Sequence, residues 1–202
     1  MATTSGILAV DIGGTKLAAA VVTAQGDIIR RDRVATPARA PWITLSTLIK
    51  RIQAAASDIE LVACGVACGG PMKIGGTEVS PLHIPAWVDF PLLSSISELT
   101  GLKTYIDNDA KALALAEGWK GAARDCANFM AVVIGTGVGG GLVINNRLAV
   151  GRSGNAGHFG HIAVGGDIVG HDDRPCRCGG RGCLEAYLSG PAVELETGRD
   201  PM

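Results

Sequence analysis

The chain has 202 residues with a formal net charge of −1, 47% hydrophobic and only 4% aromatic residues, 29 glycines and 6 cysteines. That length can bury a sizeable core in one large or two small domains, while the near-neutral charge and the scarcity of aromatics argue against a general nucleic-acid or membrane-surface binder. Met1-Ala2-Thr3-Thr4-Ser5 lacks the basic and apolar regions of an export signal, so a cytoplasmic protein is expected.

Ile7-Leu8-Ala9-Val10 is a short apolar run that enters Asp11-Ile12-Gly13-Gly14-Thr15-Lys16. A second apolar run at 17–22 and then Ile28-Ile29-Arg30-Arg31 follow, separated by Gln25-Gly26-Asp27. The pattern predicts strand, glycine turn, strand, turn, strand, so that the first turn joins two antiparallel strands instead of opening a helix. Adjacent glycines and Thr15 leave backbone N–H groups and a hydroxyl for phosphate oxygens, and Asp11 at the strand end is placed to hold a hydrated Mg²⁺. An ordinary hairpin turn is the plain alternative.

Residues 42–56 place Ile43, Leu45, Leu48, Ile49 and Ile52 at helical spacing, and the helix is expected to cover one face of the sheet. A buried strand over 59–68 then runs into Gly69-Gly70-Pro71; Cys64 and Cys68 on it read as small buried side chains. Gly75-Gly76, Pro81, Pro85 and Pro91 mark irregular loops around Trp87, of the kind that grip ligands. A helix over 90–99 and a strand over 104–106 are expected next. The strand meets Asp107-Asn108-Asp109, which opens a helix over 110–119. Asx residues there are natural helix caps, yet a carboxylate at the carboxyl end of an α/β strand also sits where ligands bind, and Asp109 is taken as functional.

Residues 126–146 contain no charge, but five glycines and Thr136 interrupt them and Asn145-Asn146 closes them, which fits a strand pair and not a membrane helix. The strand 129–134 enters Gly135-Thr136-Gly137-Val138-Gly139-Gly140-Gly141. The spacing matches the dinucleotide fingerprint, which requires a following helix. Here a strand at 142–144, the Asn-Asn turn and a strand at 148–150 are expected, so that fingerprint is rejected. The strand, glycine-threonine turn, strand logic thus occurs twice, which suggests two related halves around a nucleotide.

Near the end, Cys176, Cys178 and Cys183 lie within eight residues, after His161 and His171. Thiols so dense in a chain without an export signal point to a metal: zinc takes Cys₃His sets, and either histidine could complete this one.

Taken in order, Asp11-Ile12-Gly13-Gly14-Thr15-Lys16, Asn108-Asp109-Ala110, the glycine run from Gly135, Gly157-x-x-Gly160-His161 and Cys176-x-Cys178-Gly179-x-x-Gly182-Cys183-x-Glu185 resemble the ROK family of bacterial sugar kinases and related repressors. The resemblance spans about 7–190. It implies an α/β, actin-like ATPase (ribonuclease H-like) fold: two lobes around a nucleotide and sugar cleft, an N-terminal lobe over 1–118 and the start of a C-terminal lobe over 119–202. Family kinases are longer than this chain, so the second lobe is expected to be incomplete.

The resemblance further implies that Gly13, Gly14, Thr15 and Lys16 with Gly135, Thr136 and Gly137 bind ATP phosphates, that Asp109 is the general base, and that Gly70, Asn108, Asp109, His158, His161 and Glu185 belong to the sugar site. It selects His161 over His171 to hold zinc with Cys176, Cys178 and Cys183. ATP, Mg²⁺ and structural Zn²⁺ are the implied cofactors, and the 6-hydroxyl of a hexose the implied acceptor. Glucose is the first reading and N-acetylmannosamine the alternative. His158 stands where the family usually has Glu, as in some N-acetylmannosamine kinases, and His83 where members often have Asn. The repressors carry a DNA-binding head ahead of the first motif; few residues precede Ile7, so no nucleic-acid partner is expected, and a homodimer is.

Overall fold

In β1 (Ser5–Ile12) Leu8, Val10 and Ile12 are buried, and in β2 (Lys16–Val22) Leu17, Ala19 and Val21 are, so the apolar runs read as strands point one face of each at a common core. The two pair antiparallel across the Gly13–Thr15 turn, with Ile12 opposite Leu17. β3 (Ile28–Ala35) continues the meander beside β2. β4 (Glu60–Cys68) and β5 (Thr104–Asn108) add in parallel on the other side of β1, giving the order β3-β2-β1-β4-β5. The carboxyl ends of β1, β4 and β5 therefore share one edge, with Ile12 beside Cys68 and Cys68 beside Asn108.

The structure is a computed structural model, and it describes residues 5–164 and 173–199. Helix α1 (Pro41–Ala55) begins with proline in its first turn and buries Leu45, Leu48, Ile49 and Ile52, the 3–4 spacing expected of an amphipathic helix. Helix α2 (Leu92–Thr100) buries Leu92 and Ile96 in the same core. It starts two residues later than the sequence pattern predicts, because Phe90 is bridged to Val79 as extended chain and Pro91 sets the cap. Trp87, at the centre of the irregular loop region, is 3% exposed and stacks on Phe90 with ring centroids 4.5 Å apart. It holds the loop together from inside. Cys64 and Cys68 are fully buried, as expected of small core side chains.

The chain divides into two compact units, Met1–Asp109 and Ala110–Met202. The five-stranded sheet makes the first. In the second, β6 (Phe129–Ile134), β7 (Val138–Ile144) and β8 (Arg147–Leu148) form an antiparallel sheet in that order. Asn145 and Asn146 both take positive φ, 51° and 60°, in the two-residue hairpin between β7 and β8, the conformation that favours asparagine there. One expectation changes: only Gly135-Thr136-Gly137 is turn, and Gly139, Gly140 and Gly141 belong to β7. A Cβ on Gly141 would stand 2.5 Å from that of Ala114, and one on Gly139 3.0 Å from that of Ala110. These glycines let helix α3 (Asp109–Lys120) lie directly on the strand. As no helix opens after Gly137, the dinucleotide fingerprint is excluded on structural grounds. Among the described residues, no helix is long and apolar enough to cross a membrane.

Candidate functional site

In the first unit the glycine turn is held by its carbonyls. The Thr36 hydroxyl donates to the Gly13 carbonyl at 2.7 Å, the Thr36 N–H donates to the Thr15 carbonyl at 3.1 Å, and the Gly13 N–H donates to the Lys16 carbonyl at 3.0 Å. Among the described residues, the N–H groups of Gly14 and Thr15 make no hydrogen bond. A turn with carbonyls tied down and two N–H donors left unbonded can serve as an anion cradle. Thr36 was not singled out from sequence; its position 23 residues beyond the turn leaves no local signal.

The same sheet edge gathers Asp11, Cys68, Asn108 and Asp109. Asn108 is 6% exposed at the end of β5, and Asp109 is the first residue of α3, on the solvent side. Protein packed around the Asp11 carboxyl raises its pKa; nearby Lys16 opposes the shift and Asp109 adds to it. Burial raises the Cys68 thiol too, reinforced by the charges of Asp109 and Asp11. Mutual repulsion of Asp11 and Asp109 favours whatever cation stands near them. The sequence motifs Asp-Ile-Gly-Gly and Asn-Asp thus meet through strand register. Gly70, at the turn after β4, accepts from the Leu82 N–H at 3.2 Å and so anchors the loop that carries exposed His83.

In the second unit the Gly135–Gly137 turn is closed by the Gly135 N–H donating to the Gly137 carbonyl at 2.9 Å. A Cβ on Gly135 would meet no atom within 4 Å, so nothing in the fold demands glycine at that position. Glu185 Oε2 accepts the Val138 N–H at 2.8 Å. Lys111, which sequence reading passed over as a helix residue, is 1% exposed and donates to the Gly154 carbonyl, tying α3 to the loop that leads into His158.

The ligating atoms of His161, Cys176, Cys178 and Cys183 all lie within 4.8 Å of one another. The Cys176 Sγ and His161 Nδ1 are 3.7 Å apart, as are the sulfurs of Cys178 and Cys183. A tetrahedron with metal–sulfur bonds of about 2.3 Å places neighbouring sulfurs about 3.8 Å apart, so the donors are spaced to hold a metal. Extended chain on either side of the knot is cross-bridged, with Ala163 opposite Cys183 and the Leu184 N–H donating to the Ile162 carbonyl at 2.9 Å. Burial, then the neighbouring Cys176 and Cys178, push the Cys183 thiol up to about 12. Cys178 is lowered, first by a backbone hydrogen bond at Gly180. A cation held by these donors would let three thiolates stand together. His171 lies outside the described residues.

Comparison with known proteins fits this arrangement. The family model described as "ROK family" matches residues 7–201. An N-acetylmannosamine kinase of Yersinia pseudotuberculosis is 39% identical over 193 residues, covering 94% of this chain and 63% of that protein. The crystal structure of a ROK family glucokinase from Streptomyces griseus, in complex with glucose and AMPPNP, superposes with a TM-score of 0.80 at 34% identity, covering 96% of this chain and 62% of that one. A ROK family transcriptional regulator, a homologue of the E. coli MLC protein, superposes with a TM-score of 0.80 at 25% identity over 96% of this chain and 49% of its own. The chain thus has the mixed α/β, actin-like ATPase fold of ROK proteins, and spans about 63% of the length of the curated relatives it matches.

Proposed function

This chain belongs to the ROK family, and on that premise we propose that it serves an ATP-dependent sugar kinase that phosphorylates the 6-hydroxyl of a hexose or N-acylhexosamine. The observation that carries the reading is the convergence of Asp11, Asn108 and Asp109 on the sheet edge that also bears the unbonded N–H groups of Gly14 and Thr15. In this reading Gly13, Gly14, Thr15 and Lys16 together with Gly135, Thr136 and Gly137 bind the phosphates, and Asp11 binds the hydrated Mg²⁺. The sugar oxygen attacks the γ-phosphorus, the bond to the β–γ bridging oxygen breaks, ADP leaves, and Asp109 takes the hydroxyl proton. Positioning and charge neutralisation supply most of the acceleration in such a transfer, so a base of ordinary strength suffices.

Gly70, Asn108, His158, His161 and Glu185 hold the sugar in this account. Zn²⁺ held by His161, Cys176, Cys178 and Cys183 is structural, with all four positions filled by protein. The Nδ1 of His161 faces Cys176, which leaves Nε2 for the sugar side. A small phosphorylated sugar and free ATP suit a cytoplasmic enzyme.

N-acetylmannosamine is placed first among acceptors because the relative at 39% identity carries that name; the glucokinase at 34% identity favours glucose as the second reading. Titration calorimetry of the full gene product, saturated with a non-hydrolysable ATP analogue and Mg²⁺, tests the order. N-acetylmannosamine is expected to bind at least ten-fold more tightly than glucose. The reverse order selects glucose, and binding of neither removes the kinase reading.

A further inference from the structure

Val138, the first residue of β7 after the Gly135–Gly137 turn, is gripped at both of its backbone polar groups by residues next to metal ligands. Its N–H donates to Glu185 Oε2 at 2.8 Å, and Glu185 stands two residues after the ligand Cys183. Its carbonyl lies against Gly160, where a Cβ would come 2.0 Å from the oxygen, and Gly160 immediately precedes the ligand His161. The other flank of the turn is tied to the same stretch: the Gly190 N–H, at the start of α5 (Gly190–Thr197), donates to the Gly135 carbonyl at 2.7 Å. The Glu185 carboxylate also fills the space above Gly137, where a Cβ would fall 2.6 Å from Oε2.

We propose that the metal knot sets the conformation of the Gly135–Gly137 phosphate turn through Val138, with Glu185 as the positioning residue that carries the coupling. This rests on the zinc reading above, but it requires neither ATP nor sugar to bind. The four ligands draw 160–161 and the Cys183-Leu184-Glu185 segment together, and each segment presses on Val138 from its own side. With the metal bound, Gly160 and Glu185 have one spacing, and the turn between β6 and β7 has one shape. With it removed, the backbone bonds left between the two segments among the described residues are the Ala163–Cys183 bridge and those flanking it, so the Val138 N–H loses its fixed acceptor. An acidic residue beside a turn meant for phosphate is otherwise unfavourable; its use as a backbone acceptor accounts for its presence there. Glu185 thus has a role besides the sugar contact, one oxygen on the turn and the other left for a ligand.

Residue-resolved hydrogen exchange on this chain tests the proposal, with ZnCl₂ at full measured occupancy or with chelator, for the natural sequence, Glu185→Ala and Glu185→Gln. Zinc is expected to slow exchange at Val138 and Gly190 at least ten-fold in the natural chain. At full zinc occupancy Glu185→Ala should lose most of the Val138 protection while keeping its zinc affinity within about three-fold and the protection of the α1 amides unchanged. Glu185→Gln, which retains an acceptor oxygen, should restore most of it. Unchanged Val138 exchange in zinc-loaded Glu185→Ala overturns the coupling, and a chain that takes up no zinc overturns it together with the metal reading. The kinase reading fails separately, by absence of nucleotide or sugar binding.

Discussion

Gly14 in the first glycine turn sits against the backbone end of His83: a Cβ on Gly14 would lie 2.4 Å from the Cβ of His83 and 3.1 Å from its Cγ. The loop anchored at Gly70 and the anion cradle are thus one packed unit within the first domain, and the histidine that departs from the usual family residue is seated beside the phosphates' proposed place. Because the clash is with Cβ and not with a flexible tip, Gly14→Ala should cost about 1–3 kcal/mol of stability. The double variant Gly14→Ala, His83→Gly should recover part of that loss in a double-mutant cycle by urea unfolding. Strict additivity would show that the two residues do not meet.

Gly135 offers the opposite case. Nothing lies within 4 Å of a Cβ placed there, so Gly135→Ala should leave the unfolding midpoint within about 0.5 kcal/mol of the natural chain. If a phosphate approaches that backbone, the same methyl should weaken Mg–ATP binding by the full gene product at least ten-fold by calorimetry. Undiminished binding would remove Gly135 from the phosphate site.

The pH dependence of stability should carry the mark of Cys64. Burial pushes its thiol up to about 12, partly opposed by a hydrogen bond with Thr104. The folded value lies above the unfolded one, so the contribution is complete below the ordinary thiol range and is lost as pH rises toward about 12. Between pH 9 and 10.5 the loss from this residue should be about 2 kcal/mol. Cys64→Ala should flatten that part of the alkaline unfolding profile by denaturant titration at each pH. An unchanged alkaline slope would show that the thiol titrates normally.

Much of this arrangement was legible in the sequence because it depends on local chemistry. The apolar strand run from Ile7 to Val10, the 3–4 spacing of Leu45, Leu48, Ile49 and Ile52, and the Asn145-Asn146 hairpin each follow from a few neighbouring residues. The three cysteines of the candidate metal cluster lay close enough in sequence for their type to point to it, whereas the choice of His161 over His171 came from the family resemblance. What stayed hidden was set by tertiary approach. Gly139, Gly140 and Gly141 read as turn because glycine is a turn residue, but they are strand because α3 packs against them. Trp87 marked only the position of an irregular loop in the sequence; its burial against Phe90 is set by tertiary packing. Thr36, Lys111 and the Glu185–Val138 bond act across 23, 43 and 47 positions, distances at which a single sequence carries no pairing signal.

The measurement that bears most directly on the central claim is phosphate transfer from Mg–ATP to N-acetylmannosamine and to glucose, followed by detection of the sugar 6-phosphate, for the full gene product and its Asp109→Asn variant. The account predicts transfer to at least one of the two sugars by the natural protein. It also predicts a fall in kcat of at least about 100-fold in the variant, with sugar affinity kept within about three-fold. Transfer to neither sugar, or a variant that turns over within ten-fold of the natural rate, would contradict the assignment of Asp109 as the base of a sugar kinase.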